Sequence, residues 1–139
     1  MKNLLFVFLF LLGSFTQLSA QKINFEENKN DLVQKYDVLL FKGQLFNGET
    51  VSRYVNGEGY GSNQVKKITP YKDGKKHGTQ LSYYESGQLA QKRPYKDGEK
   101  HGERLKYYEN GQLKSKENYI DGAQKGKTLY YDENGQLEG

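Results

Sequence analysis

The chain has 139 residues, of which 21 are Lys or Arg and 17 are Asp or Glu, with two Pro and no Cys. After position 20 only 35 of the remaining 119 residues are hydrophobic, which excludes a thick two-layer core, and 20 basic against 17 acidic residues is too mild a bias to indicate nucleic acid. Without Cys, neither disulfides nor thiolate metal sites are available.

The first twenty residues, MKNLLFVFLFLLGSFTQLSA, place Lys2 before an apolar run from Leu4 to Leu12 and end in the small residues Ser19 and Ala20. A basic start, a short apolar stretch and a small-residue cleavage site form the order of a secretory signal peptide, and the run is too short to span a bilayer. Cleavage is expected after Ala20, leaving an exported protein, periplasmic or secreted. No Cys stands at the cleavage site, so a lipid anchor is not expected, and no later stretch reaches the length of a membrane span. Residues 21–35 are polar and without repeat, and read as an N-terminal arm.

From position 71 the sequence repeats every 24 residues, as units 71–94, 95–118 and 119–139. Tyr71, Tyr95 and Tyr119 align, as do Gly74, Gly98 and Gly122, and then Gly78, Gly102 and Gly126. Leu81, Leu105 and Leu129 follow, then Tyr83, Tyr107 and Tyr131, Gly87, Gly111 and Gly135, and Leu89, Leu113 and Leu137. Residues 36–70 form a degenerate first repeat with Gly43 and Gly48 near the paired-glycine positions, interrupted by an insertion around NGEGYG. A fixed period of this size predicts a stacked array in which neighbour contacts dominate.

Within each unit, Thr79 to Tyr84 alternates polar and apolar residues, Glu85-Ser86-Gly87 interrupts, and a second run extends from Gln88 to Tyr95. Such runs around a Gly turn predict a β-hairpin. A two-residue loop would pair Tyr84 with Leu89. A three-residue loop with Gly87 left-handed pairs Tyr83 with Leu89, and is preferred because it is expected to gather Leu81, Tyr83, Leu89 and Tyr95 on one face. Asp73-Gly74 and its equivalents supply the other turn. Three glycines per unit and no 3.6-residue pattern disfavour helix, so the expected fold is all-β, an elongated array of antiparallel hairpins in a single twisted sheet. The tyrosines would stack from repeat to repeat with leucines interleaved. The final repeat stops part-way through its second strand at Leu137-Glu138-Gly139, an edge open to fraying, shielding or edge-to-edge self-association.

The pattern Y-x-D-G-x-x-x-G followed by Y-Y-x-x-G-x-L resembles the MORN repeat in its bacterial variant form, MORN_2, as found in YwqK-family antitoxin-like proteins. The resemblance covers residues 71–139 well and 36–70 loosely. It implies an array of β-hairpins without chemistry of its own, used as a scaffolding or binding surface, and for some relatives the neutralisation of a toxin.

Candidate chemistry is sparse. His77 and His101 share a repeat position that Lys125 fills in the third unit, no acidic cluster completes a metal set, and each reads as a solvated turn histidine. Asp73, Asp97 and Asp121 precede turn glycines, where a short acceptor bonds local backbone. Ser82, Ser86 and Ser115 lack a nucleophile setting, and GEGYG lacks the spacing of a phosphate loop. No catalytic residue, metal or cofactor is expected.

The turns are expected at opposite long edges, one acidic through Glu85, Glu109, Asp132 and Glu133, the other mixed to basic through Lys72, Lys75, Lys76, Lys96, Lys100 and Lys125. Tyr84, Tyr108 and Tyr130, beside the expected core tyrosines, form a candidate binding stripe for a protein, a glycan or an anionic lipid, or else a face that packs on the arm or a second molecule. The expected function is non-enzymatic protein binding or scaffolding, with an envelope protein as partner. The alternative is an antitoxin or immunity protein that occludes one toxin.

Overall fold

A computed structural model describes residues 21–24, 30–35, 38–55 and 61–138. The expected signal peptide and most of the NGEGYG insertion lie outside the described residues. The chain is all-β and mostly antiparallel. Its main sheet runs in the order β1 (Gln21–Asn24), β5 (Gly48–Val55), β6 (Gly61–Lys72), β8 (Gly78–Tyr83), β9 (Leu89–Lys96), β11 (Gly102–Tyr107), β12 (Leu113–Ile120) and β13 (Ala123–Tyr130). Two short strands extend the hairpins of this sheet, β7 (Lys75–Lys76) on β6 and β10 (Glu99–Lys100) on β9.

A second, three-stranded sheet is formed by β2 (Leu32–Lys35), β3 (Val38–Phe41) and β4 (Gln44–Leu45). Parts of the segment read as an arm are therefore strands: β1 lies parallel on β5, and β2 pairs with β3. The degenerate unit has a turn like those of the repeats. Phe41 pairs with Gln44 around Lys42 (φ 51°) and Gly43 (φ 79°), as Lys72 pairs with Lys75 around Asp73 (φ 49°) and Gly74 (φ 75°). Positive φ at both central residues is the geometry of a tight two-residue hairpin turn, whose twist matches that of the strands.

The other connection is the three-residue loop. Gly87 N–H donates to the Tyr84 carbonyl at 3.0 Å, Tyr84 N–H donates to Gln88 at 2.8 Å, Gly87 has φ 93°, and Tyr83 pairs with Leu89. The expected face does not follow, however. Ser82 pairs with Gln91 and Tyr83 with Leu89, so Ala90 stands as a one-residue bulge. Lys66 and Lys114 occupy the same bulge in the neighbouring hairpins. An extra residue reverses the alternation of side chains beyond it. Tyr95 therefore lies on the face of Gln80 and Arg93, opposite Leu81.

One face of the main sheet is polar. Across successive strands it carries the row Thr50, Thr69, Gln80, Arg93, Arg104 and Glu117, flanked by Tyr71, Tyr95 and Tyr119. The opposite face carries Val51, Ile68, Leu81, Lys92, Leu105, Lys116 and Leu129. Buried side chains are concentrated on the polar face, including Thr69 (3% exposed), Gln80 (6%), Ser115 (2%) and Glu117 (7%). The largest apolar cluster is local, with Leu32, Leu39 and Phe46 buried against Phe41 and Tyr71 where the small sheet meets the first Asp-Gly turn. There Leu39 N–H donates to Gly74 O at 2.7 Å and Gly74 N–H to Phe46 O at 2.8 Å.

Candidate functional site

Two columns of inter-repeat contacts run along the two turn edges. At one edge Gly74, Gly98 and Gly122 donate their N–H to the carbonyls of Phe46, Lys76 and Lys100, at 2.8, 2.8 and 2.9 Å. These three acceptors are therefore equivalent, and each covers the tyrosine that follows it. The Phe46 ring is 5.8 Å from Tyr71, Lys76 Nζ is 5.2 Å from the Tyr95 centroid, and Lys100 Nζ is 4.8 Å from Tyr119. The rings are thus interleaved by cations and one phenylalanine rather than by the leucines, because the bulge sends the leucines elsewhere.

The histidines belong to this column. Asn47 Oδ1 accepts from Asp73 N–H at 2.8 Å, and His77 Nδ1 and His101 Nδ1 lie 3.1 and 3.2 Å from Asp97 Oδ1 and Asp121 Oδ1. Each histidine reaches the next repeat's turn, so Asp97 and Asp121 engage a side chain of the preceding repeat. Among the described residues no group of His, Asp or Glu could hold a metal ion.

At the other edge, the Tyr54, Tyr84 and Tyr108 hydroxyls donate to the carbonyls of Tyr83, Tyr107 and Tyr131 at 2.7, 2.7 and 2.9 Å. The candidate stripe is therefore divided. Tyr84 and Tyr108 are half-buried straps between repeats, whereas Tyr130, 54% exposed, pairs with Ser115 within the last hairpin. The position 24 residues after Tyr108 is Asp132, whose Oδ1 instead accepts from Asn134 and Gln136 N–H at 3.0 and 2.8 Å. The Gln136 N–H holds its carboxyl below the ordinary value against desolvation, with Asn134 adding to the effect. Tyr54 is the strap that the repeat comparison missed, because the insertion separates it from Tyr84 by 30 positions rather than 24.

The polar row holds one buried ion pair. Arg104 Nη1 lies 3.0 Å from Glu117 Oε2, which also accepts from Tyr119 Oη at 2.7 Å, and Arg104 Nε donates to Gln91 at 3.0 Å. Burial alone would raise the Glu117 carboxyl, but the tyrosine hydrogen bond and the guanidinium outweigh it and hold it below its ordinary value.

Next to this row a groove of about 500 Å³ opens between β5, β6 and β8. Its floor contains the buried Thr50, Thr69 and Gln80, with Gln80 Nε2 donating to Thr69 Oγ1 at 2.9 Å. Arg53, Lys66, Lys67 and Lys76 stand around it, with Tyr54 and Tyr71, and among the described residues no carboxylate lines it. Burial raises the Tyr71 hydroxyl above its ordinary value, although a hydrogen bond with Thr50 opposes the shift. A second hollow, between Gln34, Lys75 and Glu99, is lined by both charge signs.

The six leucines of the repeat, at 81, 89, 105, 113, 129 and 137, are half-buried or exposed, with Leu129 at 40% and Leu137 at 59%. Among the described residues no helix is long and apolar enough to cross a membrane. No curated protein and no solved structure matches the chain. The three consecutive hairpin units at residues 76–97, 100–121 and 124–139 match the family model of the MORN repeat variant, each in a frame that starts just after an Asp-Gly turn.

Proposed function

We propose that the chain is an exported, non-enzymatic repeat protein that binds another protein through its leucine–lysine face. Repeats of this kind commonly serve as protein-interaction modules. The observation that carries the reading is that none of the six repeat leucines is buried, whereas within the repeats the buried Gln80, Ser115, Glu117 and Tyr119 all lie on the polar face. A row in which Leu81, Leu105 and Leu129 alternate with Lys92 and Lys116 offers apolar area with cations between, the composition that suits a partner with matching carboxylates. Export rests on the order of residues 1–20.

The test is capture from envelope and culture-medium fractions with residues 21–139 as bait, alongside the same bait carrying Leu105→Lys and Leu129→Lys. Lysine already alternates in that row, so β-sheet circular dichroism should be unchanged and capture lost. Capture that survives both substitutions would sink the assignment to this face. A single partner that is toxic when expressed alone would make the chain an immunity protein of the antitoxin type, whereas several envelope proteins would make it a scaffold.

A further inference from the structure

The groove beside Thr69 is a local departure from the repeat. Pairing places Thr50 opposite Thr69 in the first hairpin, Gln80 opposite Arg93 in the second and Arg104 opposite Glu117 in the third. Where the second hairpin fills this row with the Gln80 amide and the Arg93 guanidinium, and the third with the Arg104 guanidinium bonded to the Glu117 carboxylate, the first has two threonines, and the space they leave is the groove. Charge differs from the second hairpin in the same place. Lys67 pairs with Ser52 where Gln91 pairs with Ser82, and Lys66 fills the bulge that Ala90 fills one repeat later, whereas the third hairpin sets Lys106 opposite Ser115 and Lys114 in the bulge beside a row filled by Arg104 and Glu117. Among the described residues, small floor residues and these cations coincide only here. In a repeat array a gap in an otherwise filled row, ringed by cations, marks a site rather than the scaffold.

We infer that this groove binds a small hydroxylated molecule bearing a carboxylate or a phosphate. The volume suits one sugar-sized ligand. Arg53, Lys66, Lys67 and Lys76 supply cations without a competing carboxylate among the described residues, so an oxyanion would form charge-assisted hydrogen bonds. Burial fixes all three floor groups, with the Gln80 amide bonded to the Thr69 hydroxyl and the Thr50 hydroxyl to Tyr71, which suits hydroxyl groups on the ligand, and the tyrosine rings of Tyr54 and Tyr71 give its carbon skeleton a wall. The site lies on the polar face, opposite the leucine–lysine row, and is independent of protein binding there.

The probes are galacturonate and glycerol phosphate, with galactose and glycerol as neutral controls, titrated into residues 21–139 and followed by amide NMR shifts. At least one of the two anions should shift the amides of Thr69 and Gln80 with a Kd of about 1 mM or tighter, while galactose and glycerol leave them in place. Which anion binds distinguishes a carboxylate source from a phosphate source. Thr69→Arg and Lys67→Gln each import the residue found at the same position one repeat later, so the fold should persist, and each should weaken binding about tenfold or more. No shift from either anion at about 10 mM would overturn the inference. So would equal binding by both variants, equal binding of the neutral controls, or shifts produced only by an acidic peptide.

Discussion

The Tyr84 hydroxyl donates to the backbone carbonyl of Tyr107 at 2.7 Å, a hydrogen bond from the loop of one hairpin to the strand of the next. Tyr108 makes the same bond to Tyr131 at 2.9 Å. A sheet with little buried apolar surface depends on such links, because each repeat contacts only its neighbours.

Tyr84→Phe and Tyr108→Phe should each lower stability by about 1 kcal/mol, the net worth of one hydrogen bond, while keeping the ring packing. Urea unfolding should show a reduced midpoint with an unchanged slope. Tyr130→Phe, which lacks a strap, should leave the midpoint within about 0.5 kcal/mol of wild type.

Glu117→Gln should destabilise the protein at neutral pH by about 2 kcal/mol, because Arg104 is left without its buried counter-charge. The folded Glu117 value lies below the ordinary one, so the stability from this pair is complete above the ordinary glutamate range and is lost as pH falls through the lower, folded value. The gap between wild type and variant, measured by urea unfolding over an acidic pH series, should therefore narrow towards low pH. A gap that stays constant would show that the charge is not what Glu117 contributes.

Gly74→Ala should be the most damaging of the turn substitutions. A Cβ at Gly74 would sit 2.7 Å from the Leu39 carbonyl oxygen, and φ is +75°. Both terms act together, for a loss of about 2 kcal/mol or more. At Gly111 a Cβ meets nothing within 4 Å, so only the positive φ is felt, about 1 kcal/mol. Thermal melting of the two variants should separate them in that order.

His77→Asn should preserve the turn column, since Asn47 already accepts from Asp73 N–H in the first unit, at 2.8 Å. His77→Ala removes the link to Asp97, which is largely exposed, and should cost about 0.5 kcal/mol. Chemical denaturation of the pair would show whether the link contributes at all.

The period, the hairpins and both turn types were determined by the sequence alone, because Gly and Asp-Gly at fixed spacing answer to local backbone sterics. The three-residue loop pairing Tyr83 with Leu89 was likewise legible from where Gly87 stands. The faces were not. The bulge at Lys66, Ala90 and Lys114 has no distinctive residue type, and a single uncounted residue turned Tyr95 away from Leu81 and made the polar side the more buried one.

The tyrosine straps escaped for a related reason. Which carbonyl a hydroxyl reaches depends on how neighbouring hairpins are stacked, not on spacing along the chain. The groove needed both levels. Thr69 in place of Arg93 and Glu117 is visible at the 24-residue offset, but that Thr50, Thr69 and Gln80 form one floor with cations around it follows only from strand pairing across positions 50 to 80. Local conformation is set by each residue and its immediate neighbours, whereas a site on a sheet is made of residues distant in sequence whose register the whole array decides.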